Sequence, residues 1–271
     1  MRMRSVCVAV VLSVAALSHE GRADALRDEP APRSAQTVDD IVKRHVDARG
    51  GYEKLKAINT IRYARTVATP FSSVQLIVLK KRPNLIRWEQ TPKGQTVAIP
   101  RAINATGAWD TAAGGKVVPR AEPMATEGRE IDGDFDGLLV DWKDKGHVVT
   151  LDGTEPAAAG GAYKLKVTTK SGTVRYVYLD PKTYLEVRQT GRVSLGPDPR
   201  TKEMRFNDVS LTFSEWKDVQ GVKFPFAIDE ERTGGGVTQS FATFTDKIEL
   251  NVPIDDALFA APSPAGAGQH H

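Results

Sequence analysis

Three carboxylates alternate in Asp132-Gly133-Asp134-Phe135-Asp136-Gly137, the way a calcium loop begins, with oxygen ligands at every second position before a glycine turn. Such a loop closes on a bidentate Glu at its twelfth position, and here that position is Lys143. The run therefore reads as a solvated turn in which Asp134 caps a helix starting at Phe135. Beyond residue 25 the histidines are His45, His147, His270 and His271, with no His-Glu-x-x-His spacing, so neither a metal site nor a cofactor is expected. Nucleophilic chemistry is not prepared either. There is no Gly-x-Ser-x-Gly elbow, Cys7 is the only cysteine, and Thr233-Gly234-Gly235-Gly236-Val237 lacks the Lys and Ser or Thr of a phosphate loop. Asn104-Ala105-Thr106 matches a glycosylation acceptor only formally. The residue types point to a binding protein and not to an enzyme.

The elements that would position a binding site begin after a leader. Met1-Arg-Met-Arg is basic, Val6 to Leu17 is apolar but too short to span a bilayer, and Ala23-Asp24-Ala25 offers a cleavage site. Residues 1–25 read as a secretory signal peptide, 26–36 as a flexible leader, 37–262 as one folded domain and 263–271 as a disordered tail. Cys7 leaves with the signal peptide, so no disulfide or thiol chemistry is expected of the mature chain. Of 37 basic and 34 acidic residues, 34 and 32 lie beyond residue 25. That balance gives no steering toward nucleic acid. The protein is expected in the periplasm, as a monomer.

Thr37 can cap a helix with Asp39 and Asp40 in its first turn and Val38, Ile41, Val42, His45 and Val46 on one stripe, ending at Gly50-Gly51. His45 is placed on its surface or at the edge of the core. A shorter helical pattern runs from Tyr52 to Ile58. From Thr60 the period becomes alternating, with Ile61, Tyr63 and Val67 on one face. Leu76 to Leu79 and Leu85 to Gln90 form a hairpin turning at Pro83-Asn84, with Ile86 and Trp88 on its apolar side. Weaker strands are expected at 96–99, 102–105 and 116–118, a loop at 119–133, and a helix from Phe135 to Lys145 presenting Leu138, Leu139 and Trp142. Strands then follow at 147–151, 162–169, 173–179, 185–193, 205–216, 221–231 and 239–249, separated by short turns that favour consecutive antiparallel pairing. Val209, Leu211 and Phe213 alternate within them. The fold class is mainly β, as a barrel or wrapped sheet.

Lys81-Arg82-Pro83-Asn84-Leu85, with Trp88 three residues on and Thr91-Pro92 after it, resembles the corresponding strand pair of the LolA/LolB superfamily, carriers that move lipoproteins through the bacterial periplasm. Gly50-Gly-Tyr-Glu-Lys-Leu-Lys-Ala-Ile58 and the close at Asp256 to Pro262 are similar to that pattern as well. The resemblance implies an incomplete antiparallel β-barrel, a half-barrel covered by one to three helices, over an apolar cavity for acyl chains. It gives Arg82 the role of reaching from the barrel to the lid and Ile86 and Trp88 that of lining the cavity. With the apolar stripes above, the expected ligand-binding residues are Leu76, Val78, Ile86, Trp88, Leu138, Leu139, Trp142 and Phe213. The ligand would be a lipoprotein acyl chain or another lipid, with a membrane-bound transfer partner for outer-membrane lipoprotein sorting. One chain of about 14 carbons would contribute roughly 10 kcal/mol before association costs. The alternative is a sensor or interaction domain, since related folds serve as periplasmic stress-signal regulators.

Overall fold

A computed structural model describes residues 36–156, 161–198 and 200–262. The expected signal peptide with Cys7, its cleavage after Ala25, most of the leader and the tail with His270 and His271 lie outside the described residues. Helix α1 (Val38–Ala48) begins as its sequence demands: the Asp40 N–H donates to Thr37 Oγ1 at 3.1 Å while Thr37 N–H donates back to Asp40 Oδ2 at 3.2 Å, a capping box with Asp in the place of Glu. Its stripe Ile41, Val42, His45 and Val46 is buried. A short second helix follows, α2 (Tyr52–Lys56).

Thirteen antiparallel strands form one open sheet that does not close into a barrel. They are β1 (Thr60–Ala68), β2 (Ser73–Lys81), β3 (Leu85–Pro92), β4 (Ile99–Ile103), β5 (Ala108–Thr111), β6 (Val117–Pro119), β7 (Val148–Glu155), β8 (Ala162–Thr168), β9 (Val174–Leu179), β10 (Glu186–Pro197), β11 (Met204–Val219), β12 (Val222–Gly234) and β13 (Val237–Leu250). The order is a double meander, β6 through β1 and then β13 through β7, joined where β1 pairs with β13. Almost every strand therefore pairs with its chain neighbour, as short turns dictate. The glycine run is the turn between β12 and β13: Gly234 pairs with Val237, and Gly235 and Gly236 have φ of 57° and 79°. Two successive positive φ values define the hairpin turn whose twist matches that of its strands.

Because β6 and β7 are the two free edges, the chain joining them, residues 120–147, is left outside the sheet. It carries helix α3 (Met124–Glu130), where a loop is expected from the sequence, followed by turns from 131 to 146, where a helix is expected. The helical spacing of Phe135, Leu138, Leu139 and Trp142 is defeated by Gly137 at φ 91° and Asp141 at φ 52°, both outside the right-handed helical region. Cationic side chains bind carbonyls that a helix would have used. Arg49 Nη1 donates to the Asp136 carbonyl at 2.9 Å and Lys145 Nζ to that of Gly137 at 2.9 Å.

The principal core lies between the inner sheet face, α1, α2 and the 120–147 segment, and includes Ile41, Leu55, Val78, Ile86, Leu139, Val177 and Phe224. The apolar run of β2 has a second face, and its cover is not a helix. Leu79 and Ile77 pack on the chain's end, where Ile254 and Phe259 seal a separate small core. The Phe259 carbonyl accepts from Trp109 Nε1 at 3.1 Å and Asn104 Nδ2 at 3.0 Å, so this strap is tied to β5 and to the turn after β4.

Candidate functional site

The turn between β2 and β3 is where the sheet, α2 and the 120–147 segment meet. Arg82 Nε donates to the Ile58 carbonyl at 2.7 Å and Nη2 to that of Leu55 at 3.0 Å, satisfying carbonyls at and just beyond the end of α2. Its Nη1 and Nη2 grip the Asp136 carboxylate at 2.8 and 2.6 Å, a bidentate pair, and the guanidinium lies 4.4 Å from the centre of the Phe135 ring. Lys56 Nζ joins Asp136 at 3.0 Å. Burial acts to raise the Asp136 carboxyl, but the hydrogen bonds from Arg82 and Lys56 outweigh it and hold it below the usual range. The turn itself comes close to the same segment, for a Cβ on Gly133 would lie 2.9 Å from the Arg129 carbonyl and 3.2 Å from that of Asn84. Glycine is required by that approach.

The three alternating carboxylates have three different surroundings. Asp136 faces Arg82 and Lys56, Asp134 accepts from Lys145 at 2.7 and 2.8 Å, and Asp132 lines a cavity. Asp134 accepts from the Asp136 N–H at 3.2 Å, although no helix follows it. Among the described residues no group of three or more His, Cys, Asp or Glu side chains is arranged to hold a metal.

The cavity, about 310 Å³, lies between the inner sheet face and residues 131–139. Val78, Ile86 and Trp88 reach it from β2 and β3, Phe213 and Leu211 from β11, and Leu138 and Leu139 from the covering segment. Leu76 and Trp142, expected among them, do not line it. Leu76 is buried in the core beside it, and Trp142, carried round by the positive-φ turn at Asp141, lies with Val42 and Val46 of α1.

The wall also bears charge, which counting apolar residues does not find. Arg49, Arg65, Lys80, Asp132 and Glu186 line the same cavity, with Gln189. The pleat explains two of them: Arg65 stands two residues from Tyr63 and Lys80 two from Val78, so each shares the inner face with its neighbour. Burial pushes the Lys80 ammonium down to about 8 and the Glu186 carboxyl up to about 7. Asp132 keeps open access to water, yet the enclosing protein raises its carboxyl against the pull of Arg120, Arg101 and Lys80. His45 also lines the cavity and is 3% exposed, not a surface residue. Its Nδ1 lies 2.9 Å from the Tyr184 carbonyl, which can only accept, so Nδ1 carries the proton. Burial, with the Arg49 charge nearby, lowers its pKa to about 4 and keeps it neutral.

No family model matches the chain, and no curated protein matches it in sequence. In structure it is similar to a LolA superfamily protein from Nitrosomonas europaea, at 12% identity and a TM-score of 0.54 over 83% of this chain and 98% of that one. A domain from Vibrio parahaemolyticus described as an outer membrane lipoprotein-sorting protein is similar at 11% identity and a TM-score of 0.50, over 81% and 94%. At such identities the likeness is one of fold: an open, mostly antiparallel β-sheet with few helices, as in LolA-like proteins.

Proposed function

We propose that this chain is a periplasmic binding protein that holds the acyl portion of a lipid or lipoprotein in the cavity under residues 131–139, and that it carries this ligand without chemically changing it. The observation that carries the reading is the convergence of Val78, Ile86, Trp88 and Phe213 from the sheet with Leu138 and Leu139 from the covering segment on one cavity. Each methylene placed there gains about 0.8 kcal/mol, which needs no catalytic group. The LolA-like fold supports the reading, since one neighbour is described as sorting lipoproteins. Arg82 is then the residue that fixes the cover to the sheet.

The test is uptake of a fluorescent fatty acyl probe. Trp88→Glu or Ile86→Glu should abolish uptake while the β-rich far-UV spectrum stays intact, because each would put a charged, hydrated carboxylate where the chain must lie. Undiminished uptake in both variants would sink the assignment. A partner-binding role is favoured by a different feature, the half-exposed Leu195 and Phe206 on facing parts of β10 and β11. Native mass spectrometry separates the two, since protein taken from its own periplasm without detergent should carry an extractable acyl mass. An empty protein that also refuses added lipid would favour the partner.

A further inference from the structure

Several cations of this fold form close ion pairs. Arg175 meets Glu127 at 2.6 Å, Arg120 meets Asp110 at 2.6 Å, Lys145 meets Asp134 and Arg82 meets Asp136. Arg65, by contrast, has no hydrogen bond or ion pair among the described residues. Its guanidinium lies 4.1 Å from the centre of the Tyr63 ring, and its Nε is shut off from solvent without a partner. Lys80 donates only to the Asp134 carbonyl, at 2.6 Å, and Arg49 gives one N–H to the Asp136 carbonyl while its Nε is likewise unpartnered. The carboxylates on the wall act on Lys80 and Arg49 through space but form no ion pair with Arg49, Arg65 or Lys80 among the described residues, and Asp136 is already held by Arg82 and Lys56. Glu186 takes a hydrogen bond from Gln189 at 3.3 Å, and Asp132 forms no ion pair among the described residues. Holding charge in a half-buried site without a full partner costs free energy. Three cations on one cavity wall, none of them in an ion pair among the described residues, leave room for a counter-charge from outside.

The register places that room. Tyr63 pairs with Val78, and on the same face Arg65 and Lys80 stand on opposite sides of this pair, opposite Leu76 and Ile61. Their Cα positions are separated by four residues of strand, roughly 13 Å, and both side chains are long enough to reach inward over Val78. An Arg fork and a Lys point charge lining one cavity suit a carboxylate or a phosphate.

We propose that Arg65 and Lys80 form an anion subsite in the cavity, and that the ligand is an amphiphile with an acidic head group whose hydrocarbon tail runs along Val78, Trp88, Leu138 and Phe213. This rests on the acyl-binding reading and deepens it, because an amide- or ester-linked acyl chain without a nearby acid would leave both cations unused.

Calorimetric titration of the purified, delipidated protein at pH 7 tests it, with dodecanoate, dodecanol and inorganic phosphate as probes below micellar concentrations. Dodecanoate should bind at least tenfold more tightly than dodecanol. Arg65→Met should remove that preference by weakening dodecanoate while dodecanol binds no more weakly than before. Because Arg65 has no partner to strand, the substitution orphans no charge; Lys80→Met gives an independent reading and should weaken dodecanoate several-fold. Inorganic phosphate should bind far more weakly than dodecanoate. Equal affinity for dodecanoate and dodecanol in the unaltered protein would overturn the subsite and leave the acyl reading standing. Binding of neither would overturn both, and phosphate binding as tightly as dodecanoate would show a free-anion site in place of an amphiphile site.

Discussion

Replacing Arg82 by Met removes four hydrogen bonds at once: two to Asp136, at 2.6 and 2.8 Å, and two to the carbonyls of Ile58 and Leu55, at 2.7 and 3.0 Å. Breaking a buried ion pair costs about 3–5 kcal/mol, mostly through the charge left behind. Here Asp136 is 6% exposed, but Lys56 stays on it at 3.0 Å, so the charge is not abandoned and the low end, about 3 kcal/mol, applies. In a domain of this size that lowers Tm by roughly 6–12 °C. Urea and thermal unfolding followed by tryptophan fluorescence would measure it, in a cycle with Asp136→Asn. The double variant should cost less than the sum of the singles by at least about 1 kcal/mol. The sign of the pH dependence follows from the depressed Asp136 carboxyl. The stabilisation is fully present above the unfolded carboxylate value near 3.8 and is lost as pH falls through the lower folded value. The difference between the unaltered protein and Arg82→Met should therefore be constant above about pH 4 and shrink below it. A loss under about 0.5 kcal/mol, or additive singles, would refute the claim that Arg82 fixes the cover to the sheet.

Glu186→Gln should stabilise the protein at high pH. With the folded carboxyl raised from 4.5 to about 7, its cost grows as pH climbs through that interval and stays constant above it. Full burial would make this about 3.4 kcal/mol, and water in the cavity reduces it to about 1–2 kcal/mol. Urea midpoints at pH 4 and pH 8 should diverge by that amount, and parallel midpoints would count against an enclosed Glu186. Phe259→Ala should cost about 3 kcal/mol, since Phe259 is 1% exposed and closes the small core over Leu79. Trp109, whose indole bonds the Phe259 carbonyl, should shift its emission to the red; a loss below about 1 kcal/mol would mean that the C-terminal strap is not holding the outer face.

What could be read directly was local. Thr37 with two acidic residues after it predicts a capped helix, and the structure shows the reciprocal bonds. The Pro83-Asn84 turn and the alternation of Val209, Leu211 and Phe213 predict strands that pair with their neighbours, and they do. The failures have physical causes. Residues 135–145 satisfy the helical period, but Gly137 and Asp141 take positive φ, and the side chains of Arg49 and Lys145 bind the freed carbonyls. Expectation split 96–105 into two strands and passed over 108–111, because β4 and β5 are short and their pairing comes from the sheet. Arg65 was legible in principle. A search for apolar residues steps from Tyr63 to Val67, and the charge between them on the same face was the signal.

A cavity with three cations and three carboxylates on its wall is polar enough to attract water, and that changes what binding must accomplish. An acyl tail entering a dry pocket gains only by leaving water. In this one it must also displace waters that solvate Arg49, Arg65 and Lys80, and a ligand that offers no hydrogen bonds in return loses what those waters supplied. A purely apolar tail of ten methylenes gains roughly 8 kcal/mol from burial. Desolvating even one cation without a counter-charge consumes several of these, so the margin falls toward zero once association costs of at least about 4 kcal/mol are subtracted. An acidic head reverses the sign of that contribution, because it exchanges the waters for charge-assisted bonds while the tail still meets Val78, Trp88 and Leu138. The charged wall therefore makes the cavity selective among lipids and does not argue against lipid. Its polar residues decide which head is accepted, and its apolar ones hold the tail.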